Sequence, residues 1–250
     1  MAQSNRAEIV IQATPEAVAQ EGARRFARLA QESIASRGAF SVALSGGSTP
    51  RLLYKKLASL PAQGAIDWGK VHLFWGDERF VPLDDPESNF HSAQTGLLSQ
   101  VPVPKSNVYP VPTSGVTPAQ AAELYSQYLA NFFGTPLPRF DLILLGLGPD
   151  GHTASLFPEQ MDDPNPGNAV VAVVDNAPKP PPLRLSLSLA SINQAAHILF
   201  LVTGSDKAAI VRRVLQPNDG EALLPAQRVQ PNDGAVVWLL DQAAAQDLDR

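Results

Sequence analysis

The chain has no cysteine. That excludes disulfide staples, thiolate nucleophiles and thiolate metal sites, and it fits a reducing compartment. No apolar run reaches the roughly 20 residues that a membrane-spanning helix needs. The first residues lack the basic, apolar and small-residue order of a secretion signal. A cytoplasmic protein, or an organelle protein after processing, is expected. Positive charge is outnumbered, with 19 Lys and Arg against 24 Asp and Glu and a net charge of −5. Broad nucleic-acid binding is therefore not expected, although a local basic pocket is compatible with that balance. There are four histidines, and no two stand in an HxH or HxxxH pattern. A metal site built from Asp77, Glu78 and His152 has no ligand spacing to support it, so none is expected.

What is present is a soluble, globular composition, 44% hydrophobic and 17% charged over 250 residues, ample for a sizeable core. Thr14-Pro15-Glu16-Ala17 reads as a helix start, with a capping hydroxyl, a proline at the first position and an acid at the positive end of the dipole. A small or apolar face runs to about residue 36, and Gly38 reads as the stop. Strands are expected at Ala39–Ser45, Val71–Trp75, Phe140–Leu145, Ala169–Val174, Ala196–Thr203 and Val236–Leu240. Helices are expected at Pro50–Leu60, Ser88–Ser99, Pro118–Phe133 and Asp206–Leu215. This alternation predicts an α/β fold: a mostly parallel, Rossmann-like sheet with helices on both faces. With no convincing linker, residues 1–250 read as one domain. Pro61–Ile66, Val101–Thr117, Phe157–Asn168 and Pro178–Pro182 read as weakly structured, the last as an extended surface segment. Gln-Pro-Asn-Asp-Gly occurs at 216–220 and again at 230–234, which reads as two similar turns.

Three segments carry chemistry. Ser45-Gly46-Gly47-Ser48-Thr49-Pro50 lies between a strand and a helix, where glycines let the backbone approach an anion and the helix N-terminus and hydroxyls donate to it. It lacks the Gly-Lys-Ser/Thr ending of a nucleotide P-loop. Trp75-Gly76-Asp77-Glu78-Arg79 follows a strand and reaches the same sheet edge. Asp77 and Arg79 suit sugar hydroxyls or developing charge; the plain alternative is a surface ion pair or turn. In the third, Leu142-Ile143-Leu144-Leu145-Gly146-Leu147-Gly148-Pro149-Asp150-Gly151-His152, an apolar strand ends in a glycine turn, an acid and a histidine, the side chain suited to proton transfer near neutral pH. The same glycines match G-x-G-x-x-G, and Asp175 follows a later strand, so a dinucleotide-linked dehydrogenase competes. Against it, any helix after Gly151 ends by about Phe157, and Pro149 stiffens the turn. Ser155 reads as a residue of that helix. His72, His91 and His197 read as structural.

Together these segments resemble the 6-phosphogluconolactonases of the pentose phosphate pathway, from about Gly22 to the C-terminus. The resemblance is carried by the three segments above, by their extension Thr153-Ala154-Ser155-Leu156-Phe157-Pro158, and by Glu87-Ser88-Asn89, Arg184-Leu185-Ser186-Leu187 and Thr203-Gly204-Ser205-Asp206-Lys207. It implies a fold shared with glucosamine-6-phosphate deaminases and ribose-5-phosphate isomerases, and no metal or organic cofactor. Deaminases of this kind usually continue into Phe-Asn-Glu-Pro, whose acid is missing here. Sugar-phosphate-sensing domains of transcription regulators share the architecture but follow a DNA-binding unit, for which a first helix near residue 15 leaves no room.

The implied reaction is hydrolysis of 6-phospho-D-glucono-1,5-lactone. The phosphate is expected against Gly46, Gly47, Ser48 and Thr49, with Asn89 nearby and Arg184 and Lys207 as cations. His152 is expected to act as general base on a water, and Asp150 or Asp77 to orient it. Arg79 or backbone N–H groups near Gly148 would receive the oxyanion. The expected partner is the small sugar-phosphate lactone, with no nucleic acid, no membrane and a monomeric state.

Overall fold

Local capping sets the first long element. Ala17 N donates to Thr14 Oγ1 at 3.2 Å, Pro15 occupies the first turn, and Gly38 at φ 80° ends helix α1 (Pro15–Arg37). The computed structural model describes residues 7–59, 66–160 and 170–249. Six parallel strands form the main sheet in the order β1 (Glu8–Gln12), β9 (Ala235–Asp241), β8 (His197–Val202), β5 (Leu142–Leu145), β2 (Phe40–Leu44) and β3 (Val71–Trp75). Every residue of β2 and of β5 is buried, as a strand covered on both faces requires. Helix α1 packs on α2 (Ser48–Ser59) and lies along β9 and β2. One contiguous apolar core takes in residues of all the main-sheet strands except the edge strand β1, whose Val10 packs against it.

Helix α2 carries the chain from β2 to β3 on one flank, whereas the return through helix α4 (Pro118–Phe133) delivers β5 to the other flank of β2. A reversal of this kind leaves a crevice at the carboxyl ends of the strands. A second, antiparallel sheet stands beside it, ordered β4 (Asp77–Arg79), β7 (Arg184–Leu187) and β6 (Val171–Val174). Gly76 joins the two: its N–H donates to Leu44 O at 2.9 Å and its carbonyl accepts from Leu187 N at 2.8 Å.

The parallel α/β expectation holds, with three additions. Strands β1, β4 and β7 are additional to the expected ones; they are short, and each carries a charged side chain at an end: Glu8, Asp77 and Arg79, and Arg184. Helix α2 begins at Ser48 rather than Pro50. The expected Ser88–Ser99 helix is capped by Ser88 and divides into α3 (Asn89–Ala93) and a wider π-type turn at Gln94–Leu98. After the single-turn helix α5 (Leu189–Ile192), Lys207 lies in a 3-10 turn (Ser205–Lys207) that precedes α6 (Ala208–Leu215). The two Gln-Pro-Asn-Asp-Gly copies differ in what their glycine does. Gly220 adopts φ 83°, while a side chain on Gly234 would fall 2.2 Å from Ala195 O. The expected helix end at Leu60, strand start at Ala169, and most of the loops at 61–66 and 157–168 lie outside the described residues.

Candidate active site

The glycine turn after β2 is shaped by its neighbours. A Cβ on Gly46 would fall 1.9 Å from Asn89 Oδ1, and Gly47 adopts φ +106°, so both positions demand glycine. The Tyr54 hydroxyl pins the turn, donating to Ser45 O at 2.6 Å and accepting from Ser45 N at 3.2 Å. Helix α2 then starts at Ser48, and its first N–H groups, which have no acceptor within the helix, lie at the cleft. The hydroxyls of Thr49 and Thr203 meet at 2.9 Å, tying this helix start to the end of β8.

Asp77 and Glu78 do not form a surface ion pair with Arg79, the plain alternative that the sequence allows; both are buried. Ser155 Oγ donates to Asp77 Oδ2 at 2.7 Å, and Asn89 Nδ2 donates to the Asp77 carbonyl at 2.9 Å and to Oδ1 at 3.3 Å. Asn89 thus sits at the cleft with its amide on Asp77. Glu78 accepts from the backbone N–H groups of Arg79 (2.7 Å), Asn89 (2.7 Å) and Phe90 (2.8 Å) and from Ser88 Oγ (3.1 Å). Burial nevertheless pushes its carboxyl up to about 7 against the pull of these donors. Beside the Ser88 cap, Glu78 satisfies the first two N–H groups of α3, and it fixes the backbone of Arg79.

Arg79 and Arg184 are register partners on β4 and β7. Like charges placed opposite one another are unfavourable unless something compensates. Arg79 Nη1 donates to Glu87 O at 2.7 Å, while its Nε is buried with no hydrogen-bond partner among the described residues. Arg184 is buried; its Nε donates to Pro181 O at 3.0 Å and its Nη2 to Lys179 O at 2.9 Å. Burial, and then the nearby Arg79 charge, hold Arg184 below the usual arginine range. Burial likewise lowers Lys207.

The turn after β5 positions the histidine. Gly148 N donates to His152 O at 2.8 Å, and Gly151 adopts φ +85°. Asp150 Oδ1 lies 2.5 Å from His152 Nδ1 and accepts from His152 N at 3.2 Å. The imidazole packs on Phe157 with ring centroids 4.5 Å apart. Burial takes His152 below its ordinary pKa, opposed by the Asp150 charge and hydrogen bond. Burial raises Asp150, but the charge and hydrogen bonds of His152 outweigh it and lower the carboxyl overall. An ionised Asp150 places the hydrogen on Nδ1 and leaves the Nε2 lone pair for the cleft.

No helix follows Gly151, so Ser155 is not a helix residue. Thr153 bridges Leu156, and Ala154 between them takes φ 48°. Side-chain bonds explain the departure: Thr153 Oγ1 donates to Gly146 O at 2.9 Å and Ser155 Oγ is committed to Asp77. The dinucleotide reading needs a helix N-terminus at this turn, and the chain supplies none.

These elements close around a cleft of about 400 Å³. Gly46, Gly47, Ser48, Thr49, Asp77, Arg79, Asn89, His152, Arg184 and Lys207 all line it, and Asp150 stands behind His152. Glu87, Phe157 and Thr203, which the sequence marks as family segments without a site role, also line it, as do Lys179 and Pro180. Lys179 and Pro180 belong to a proline-rich stretch with no chemical signature of its own. Among the described residues no three His, Asp or Glu side chains converge as a metal site would require.

The family model for glucosamine-6-phosphate isomerases/6-phosphogluconolactonase matches residues 13–238. A 6-phosphogluconolactonase of Synechocystis sp. is 42% identical over 220 residues, covering 87% of this chain and 88% of that protein. The structure of 6-phosphogluconolactonase from Trypanosoma brucei superposes with a TM-score of 0.86 at 33% identity, covering 98% of this chain and 100% of the other. A monomeric glucosamine-6-phosphate deaminase shares the fold, with a TM-score of 0.78 at 22% identity, covering 96% of this chain and 99% of its own. Matched over most of its length, the chain belongs to the glucosamine-6-phosphate isomerase/6-phosphogluconolactonase family.

Proposed function

We propose that this chain hydrolyses 6-phospho-D-glucono-1,5-lactone to 6-phospho-D-gluconate. The observation that carries this reading is the His152–Asp150 pair facing the same cleft as the glycine turn at the start of α2. His152 Nε2 takes a proton from water as that water attacks C1 of the lactone, and Asp150 holds the ring and steadies the imidazolium. The oxyanion is received by the Arg79 guanidinium, which lines the cleft. Gly148 N–H is already committed to the His152 carbonyl, which argues against it as the donor. His152 then returns the proton to the departing ring oxygen. The phosphate rests on Gly46, Gly47, Ser48 and Thr49, with Arg184 and Lys207 supplying charge and Asn89 holding Asp77 at the rim.

The deaminase alternative lacks an acid in Ala154–Pro158, the segment after the histidine. The absence of cysteine suits the cytoplasm, and no helix among the described residues is long and apolar enough to cross a membrane. Acid release from freshly made phosphorylated lactone tests the function, against unphosphorylated gluconolactone and glucosamine 6-phosphate. Strong preference for the phosphorylated lactone and no ammonia from the amino sugar are expected. Equal kcat/KM for the two lactones overturns the phosphate assignment.

A further inference from the structure

The proline-rich segment that follows β6 is not an inert surface stretch, because Lys179 and Pro180 line the cleft. The segment closes on itself, Ala177 N donating to Pro182 O at 2.9 Å. It is tied down by the buried Arg184, which donates Nε to the Pro181 carbonyl and Nη2 to the Lys179 carbonyl. A buried arginine with donors committed to two backbone carbonyls holds that backbone in place. Lys179 is itself exposed, and its ammonium has no acidic partner among the described residues. It also lies near enough to Lys207 for its charge to act on that group. Two lysines left facing one cleft are stable neighbours when an anion enters between them.

We infer that Lys179 is a specificity-determining residue that reads the substrate's phosphate charge from the mouth of the cleft, and that Arg184 positions it by bracing the strap. This rests on the lactonase reading above. Lysine at such a place acts as a point charge on a flexible stem, drawing a dianion without fixing the lactone's orientation. It therefore favours phosphorylated over neutral lactones.

The test compares kcat/KM on 6-phosphogluconolactone and on unphosphorylated gluconolactone for wild type, Lys179→Gln and Lys179→Arg, with calorimetric binding of the product 6-phosphogluconate to each. Lys179→Gln is expected to lower the ratio of the two kcat/KM values by about tenfold, the scale of one charge-assisted contact. Most of that loss falls on KM, product affinity drops in parallel, and Lys179→Arg recovers most of both. A melting temperature matching wild type would show that the strap is intact. A wild-type preference that survives undiminished in Lys179→Gln overturns this assignment alone. A wild-type enzyme without preference between the lactones overturns the reading on which it rests.

Discussion

Asp150 Oδ1 and His152 Nδ1 stand 2.5 Å apart although only one residue separates them in the chain. The pair is local because Gly151 takes a left-handed conformation and folds the acid back onto the ring. Asp77, the other candidate partner, is instead held by Ser155 and Asn89.

A pH profile follows from this arrangement. A general base works when neutral, and burial holds His152 below its ordinary pKa against the opposing Asp150 charge. After subtraction of spontaneous hydrolysis, kcat/KM is expected to stay level down through histidine's usual range and to fall at lower pH. His152→Gln is expected to lower kcat by roughly 10²–10⁴-fold. Asp150→Asn removes the charge that favours imidazolium, so the acid limb moves lower still, and further than in Asp77→Asn. An acid limb above the usual histidine range would contradict the assignment.

Gly148 is under steric demand from the same pair. A Cβ there would lie 2.0 Å from His152 Nδ1 and 2.7 Å from Asp150 Oδ1. Gly148→Ala is expected to displace the imidazole and cut kcat by about a hundredfold, since even small misplacement of a reacting group is costly. Steady-state kinetics beside a thermal melt separate this from unfolding: kcat should fall far more than the melting temperature does.

Glu78 governs stability. Removing its carboxylate in Glu78→Ala strands three backbone N–H groups and the Ser88 hydroxyl. Each buried donor left unsatisfied costs about 1–3 kcal/mol. A total loss of at least about 3 kcal/mol is expected in urea denaturation, with a melting temperature lower by roughly 2–4 °C per kcal/mol for a chain of this size. A change under about 1 kcal/mol would show that Glu78 does not hold the start of α3.

Much of the site was legible because three apolar strands each end in a glycine-containing turn, and those strands, β5, β2 and β3, are neighbours in the sheet. Periodicity and turn chemistry are local signals, and here they agree. The small sheet was hidden for the opposite reason. Asp77-Glu78-Arg79 spans too few residues to show alternation, and its burial depends on Asn89, Phe90 and Ser155, none of which adjoins it in the chain. The missing helix after Gly151 has the same origin, because Ser155 is held by an acid 78 positions away. Lys179 lay within a proline run that local rules read as solvent-facing. Arg184, bonded to the carbonyls of Lys179 and Pro181, holds that run beside the cleft.

The acid–base pair occupies one short loop, whereas the cations for the phosphate arrive on the strap before β7, at the start of β7 and on the turn before α6. Bond breaking and charge recognition are therefore encoded in separate stretches of chain that meet only in the finished fold. A protein divided in this way can exchange one substrate head group for another through changes at the strap and the Lys207 turn, while the loop that activates water keeps its shape.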